Sequence, residues 1–138
     1  MAGEAILIVD DNPVNLKLLR LTLTVAGYDV RTAIDAEHAI AMLEAFRPRL
    51  ILMDIQLPGM DGLELTLRLK ADPSTSEAIV IAVTAYAMKG DEQRALSAGC
   101  DGYVTKPIDT RTLAETLVRW LEPKRRPIYE RTRRGTIT

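Results

Sequence analysis

Four short stretches place reactive side chains where an apolar run stops: Asp10-Asp11 after Ala5 to Val9, Asp54 after Leu50 to Met53, Thr84 after Ile79 to Val83, and Lys106-Pro107 just beyond Tyr103-Val104. Three carboxylates gathered at strand ends would raise one another's pKa and resist ionising unless a cation sat among them. Oxygen ligands with room for water suit Mg²⁺, which favours octahedral geometry with one or two protein carboxylates. Next to such an ion Asp54 is a competent nucleophile toward phosphorus. Thr84 offers a hydroxyl and Lys106 an ammonium to the phosphoryl oxygens. Taken singly, each residue has a plainer reading: Asp10-Asp11 as a solvated turn and helix cap, Asp54 as a cap or salt-bridge partner, Thr84 as a strand former, Lys106 as a solvated lysine. Their joint placement favours the chemical reading. The Lys106-Pro107 bond is a candidate cis peptide.

Such residues meet only if the strands are parallel and in one sheet, because ligands of open α/β folds bind outside the carboxyl ends of the strands. The chain alternates strand and helix five times, the pattern of a doubly wound α/β protein with helices on both faces of a parallel sheet. Asn12 and Pro13 open a first helix that Gly27 ends, with Val14, Leu18, Leu21 and Val25 recurring along its expected inner face. A strand from Tyr28 to Ala33 leads to a helix capped by Asp35, with Ala36, Ile40 and Leu43 inward, and Pro48 stops it. Ile51, Leu52 and Met53 read as a strand buried on both faces. Asp61 caps a third helix to about Lys70. A fourth helix is expected near 87–98, with Gly90 in its first turns at a cost of about 1 kcal/mol. The last helix, from about Thr110 to Leu121, turns Leu113, Leu117 and Trp120 inward.

At 138 residues the chain fits one domain with a single core and has no room for a second full one. A net charge of -1 implies neither a bulk nucleic-acid binder nor a membrane protein, and no run reaches the roughly 18 apolar residues of a span. A cytoplasmic protein is expected. With one cysteine, Cys100, and one histidine, a Cys/His metal cluster is excluded, and Cys100 reads as a buried filler. Charge is uneven: residues 123–138 carry six basic residues against Glu130 alone, which leaves the body at -6. We expect a domain over 1–122 and a basic, flexible tail over 123–138. A nucleic-acid or membrane-surface role for the tail is the minority reading, since most charge runs are simply solvated.

The stretches Ile6 to Asn12, Leu50 to Gly62, Ala82 to Ala85 and Gly99 to Pro107 together resemble the receiver domain of two-component response regulators, the CheY-like family, over roughly residues 4–121. Ile55 to Pro58 and Thr84 to Asp91 are most similar to single-domain receivers of the DivK type. The resemblance implies a flavodoxin-like (βα)5 fold of strand order 2-1-3-4-5. It implies a signalling switch and not an enzyme acting on a separate substrate. A sensor histidine kinase or histidine phosphotransfer protein would donate a phosphoryl group to Asp54, with Mg²⁺ (or Mn²⁺) bound by Asp11 and Asp54, by the Gln56 backbone carbonyl, and by Asp10 mainly through water. Thr84 and Lys106 would hold the phosphoryl oxygens. Thr84 and Tyr103 would switch the surface of the fourth helix, last strand and fifth helix toward a protein partner, in a monomer or weak dimer without a DNA-binding output domain. The divergent tail favours a free-standing regulator. Tyr86, two residues past Thr84, would either shield the acyl phosphate from water or serve equally as a partner-docking group.

Two other classes fit less well. A haloacid-dehalogenase-type phosphatase needs a second Asp two positions past the nucleophile, where Gln56 stands. A flavodoxin-like FMN carrier would bring phosphate against Asp10-Asp11, which would repel it.

Overall fold

The computed structural model describes residues 3–84, 90–106 and 108–122. Five strands, β1 (Ala5–Val9), β2 (Asp29–Ala33), β3 (Leu50–Asp54), β4 (Ile79–Thr84) and β5 (Gly102–Thr105), alternate with five helices. The helices are α1 (Pro13–Val25), α2 (Ala36–Met42), α3 (Gly62–Ala71), α4 (Asp91–Ser97) and α5 (Leu113–Leu121). All strand pairs are parallel, in the order β2-β1-β3-β4-β5. This is the flavodoxin-like (βα)5 arrangement.

Successive strand residues point to opposite faces, so the apolar runs of β3 and β4 supply two cores at once. Ile51, Met53, Val80 and Ala82 pack on one side with Ala36 and Ala39 of α2, Leu65 and Leu69 of α3 and Ala95 of α4. Leu50, Leu52, Ile79 and Ile81 pack on the other with Leu16, Leu19 and Leu23 of α1 and Leu113, Leu117 and Trp120 of α5.

The inner face of α1 is therefore not the expected one. Val14, Leu18, Leu21 and Val25 are 73%, 49%, 60% and 79% exposed, whereas Leu16, Leu19 and Leu23 are buried. The helix carries two apolar stripes at helical spacing, and the leucine-only stripe reaches the sheet. In α2, Ile40 is 37% exposed, because Ala36, Ala39 and Leu43 occupy the inner face. Gly90 is not inside the described part of α4: it precedes Asp91 as N-cap with φ 94°, a left-handed conformation glycine adopts without strain. The cost expected for an interior glycine does not apply there. Cys100 is fully buried in the first core. Among the described residues no helix is long and apolar enough to cross a membrane.

Candidate phosphoacceptor site

The strand order reverses between β1 and β3, and in folds of this kind the crevice opens at the carboxyl ends of the strands flanking that point. Val9 pairs with Met53, so the next residues, Asp10 and Asp54, lie side by side at the sheet edge. Both are buried, each 3% exposed. Asp10 is held by two backbone bonds: its amide donates to the Ala33 carbonyl (3.1 Å), and its Oδ1 accepts from the Asn12 amide (2.9 Å). Asn12 in turn caps α1, its Oδ1 accepting from the amides of Val14 (2.9 Å) and Asn15 (3.2 Å). Asp11 is left between them, facing solvent.

Asp54 Oδ1 accepts from the Gln56 amide at 2.9 Å, and Asp54 Oδ2 from Lys106 Nζ at 3.0 Å. Lys106 Nζ also stands 3.2 Å from Asp10 Oδ2. The lysine is aimed by its own backbone, whose amide donates to the Thr84 carbonyl at 2.7 Å. Thr84 ends β4, fully buried, one residue past Val83, which pairs with Asp54 and accepts from the Ile55 amide. Tyr103, half-buried, packs against the core on the α2, α3 and α4 side of the sheet. Tyr86 and Pro107, and with Pro107 the candidate cis bond, lie outside the described residues, as does the tail 123–138.

Charge at this edge is costly and partly compensated. Burial pushes the Asp54 carboxyl above its ordinary range; the Gln56 amide and Lys106 pull it down without cancelling that, and Asp10 adds to the rise. For Lys106 burial opposes the charge, but the hydrogen bond and attraction to Asp54, with Asp10 behind them, outweigh it and hold the ammonium above its usual value. Carboxylate oxygens of Asp10, Asp11 and Asp54 lie within 4.8 Å of one another. An all-oxygen set with one exposed member fits a hard divalent cation that keeps several waters.

Gly62 supports the nucleophile's loop in a way residue type alone did not signal. Its amide donates to the Ile55 carbonyl (3.2 Å), and a Cβ there would sit on the Asp54 carbonyl oxygen and 2.7 Å from the Ile55 Cα. The signal was present in Asp61-Gly62 after Pro58-Gly59: Asp61 Oδ1 caps α3 through the Glu64 amide.

The sequence profile of the response regulator receiver domain matches residues 6–118. The chain belongs to the response regulator receiver family. Across 86% of its length this receiver is 43% identical to the polar-differentiation response regulator DivK of Brucella anthropi, 96% of which is covered. A CheY-like receiver domain protein from Methanospirillum hungatei superposes with a TM-score of 0.80 at 34% identity, covering 87% of this chain and 94% of that one. The receiver domain of a sensor histidine kinase from Pseudomonas aeruginosa, whose crystal structure holds a magnesium ion in the active-site cleft, matches with a TM-score of 0.78 at 38% identity over 87% and 98% of the two chains. Receivers of this family bind Mg²⁺ at an acidic site and act as signalling switches that accept a phosphoryl group from a kinase.

Proposed function

We propose that this receiver takes a phosphoryl group on Asp54 from a phosphohistidine of a sensor histidine kinase or histidine phosphotransfer protein, and signals to a protein partner through its α4-β5-α5 surface. The observation that carries the reading is a buried carboxylate, Asp54, with the Lys106 ammonium 3.0 Å away and two further carboxylates within reach. In the transfer an Asp54 carboxylate oxygen attacks phosphorus, an acyl phosphate O–P bond forms, the donor's N–P bond breaks, and the imidazole nitrogen keeps the electron pair. Asp11, Asp54 and the Gln56 backbone carbonyl would hold Mg²⁺ or Mn²⁺, with Asp10 acting mainly through a bound water. When bound, the ion neutralises charge on the phosphoryl oxygens.

Lys106 keeps Asp54 oriented before transfer and afterwards meets a phosphoryl oxygen. Thr84 supplies a hydroxyl to the same group, and its movement lets Tyr103 turn inward, a population shift set off by one added charge cluster. The donor must approach the rim formed by Asp11 and Asn12, where α1 begins. The exposed stripe of Val14, Leu18, Leu21 and Val25, running from that rim along the length of α1, gives it an apolar surface. Residues 1–122 form the receiver, 123–138 a basic tail, and the cytoplasm is the compartment in which kinase and receiver would meet.

Mixing a phosphohistidine-loaded phosphotransfer domain with the wild type and with Asp54→Asn in Mg²⁺ tests this. Label should move to the wild type alone; label on Asp54→Asn would refute the assignment.

A further inference from the structure

At the end of the sheet opposite Asp54, an enclosed lysine holds β5 to β4. Lys70, the penultimate residue of α3, donates from Nζ to the Ala78 carbonyl (2.7 Å), to Asp101 Oδ2 (2.9 Å) and, more weakly, to the Ser76 carbonyl (3.4 Å). An ammonium has three N–H donors, so these acceptors account for all of them. Its side chain is 18% exposed and that of Asp101 5%. Asp101 Oδ2 also accepts from the Val80 amide (2.8 Å), while the Asp101 amide donates to the Val80 carbonyl (2.7 Å). Asp101 and Val80 are thus paired in both directions, one step before the β4/β5 ladder starts at Ile81 and Gly102. The turn is shaped around the lysine stem: Gly99, at φ 105°, leaves space that a Cβ would contest with Lys70 Cγ at 3.0 Å.

This pairing matters because β5 is a four-residue edge strand, bonded among the described residues to β4 alone, and Asp101 anchors its start beside the close packing of Gly102 on Trp120. A slip of one residue turns every side chain to the other face. Lys106 lies five residues past Asp101, ~17 Å along the strand direction, and reaches Asp54 only in the register that joins its amide to the Thr84 carbonyl.

We propose that Lys70 is a positioning residue for phosphoryl uptake: through Asp101 it sets the β4/β5 register that delivers Lys106 to Asp54. The inference rests on the function proposed above.

Lys70→Met keeps the stem and removes the donors, and Asp101→Asn keeps an oxygen for the Val80 amide and removes the charge. Each is compared with wild type, Lys106→Met and the double variants for uptake from acetyl phosphate in Mg²⁺, at a temperature where far-UV circular dichroism matches wild type. Hydrogen exchange of the Lys106 amide is followed in parallel. Lys70→Met should slow uptake about tenfold, add no further slowing in the Lys106→Met background, and speed exchange at Lys106 ahead of β1 and β3. Wild-type uptake and exchange in Lys70→Met would overturn the proposal. So would an equal slowing in the Lys106→Met background, which marks general loosening. Should Lys70→Met fail to fold, Asp101→Asn is judged by the same outcomes. A wild type that takes no phosphoryl group refutes the proposed function instead, and exchange at Lys106 still decides whether Lys70 sets the register.

Discussion

Lys106 Nζ touches two carboxylates from different strands, Asp54 Oδ2 at 3.0 Å and Asp10 Oδ2 at 3.2 Å. One ammonium thus joins the ends of β1 and β3 to the end of β5. Both carboxylates are taken out of water, and one cation shared between them offsets only part of that cost.

Asp54→Asn should therefore stabilise the metal-free protein. Removing a desolvated negative charge beside Asp10, while Lys106 keeps Asp10, is expected to gain about 1 kcal/mol, ~4 °C in Tm. Thermal melts in EDTA check this, and the variant should also lose most of the further rise that Mg²⁺ gives the wild type. A lower Tm in EDTA would mean that the Lys106 pair outweighs the burial cost.

The same charges set a pH dependence. Asp54 has a raised folded-state pKa, so the folded state binds its proton more tightly than the unfolded chain. Its contribution to stability is greatest below the unfolded value of about 3.9 and is lost as pH rises through the higher folded value. Mg²⁺ competes with that proton, so apparent Mg²⁺ affinity should begin to fall, on acidification, at a higher pH than for an ordinary carboxylate. Mg²⁺ titrations from neutral pH downward check this. Lys106 follows the same sign at the alkaline end: its raised pKa contributes stability below the unfolded lysine value of about 10.4, lost as pH rises through the folded one, and Lys106→Met should flatten that alkaline arm.

On α1, two leucines two residues apart should respond very differently. Leu23→Ala, at a fully buried position, should cost about 2–5 kcal/mol. Leu21→Ala, 60% exposed, should stay within about 0.5 kcal/mol. Urea unfolding of both variants measures the difference.

Gly62→Ala places a methyl group against the backbone of the phosphoacceptor itself. Relief requires moving Asp54 or the start of α3. We expect weakened Mg²⁺ binding along with a stability loss of about 1–3 kcal/mol, read by Mg²⁺ titration beside chemical unfolding.

The contrast on α1 shows where sequence reading stops. The alternation of apolar runs with capped helices sufficed for a parallel α/β sheet, and family resemblance supplied the strand order. Asn12, Asp35 and Asp61 cap the helices where their side-chain chemistry places them. The inner face of α1 was not legible, because leucines and valines at 14, 18, 21 and 25 repeat as regularly as those at 16, 19 and 23; only packing on Ile6 and Ile8 separates them. The place of Gly90 is hidden for a similar reason, since a glycine inside a helix and one capping it look alike in a string. Asp10, Asp11, Asp54 and Lys106 could be grouped by their strand-end positions, and they do converge. Lys70 could not, because a lysine near a helix end reads as solvated until the Asp101 carboxylate and two carbonyls are seen around it.

Intact mass after incubation with acetyl phosphate tests the central claim most directly, with wild type in Mg²⁺, wild type in EDTA and Asp54→Asn in Mg²⁺ measured side by side. One phosphoryl adduct is expected in the first sample alone. No adduct in any sample, or an adduct that persists in Asp54→Asn, would contradict the account.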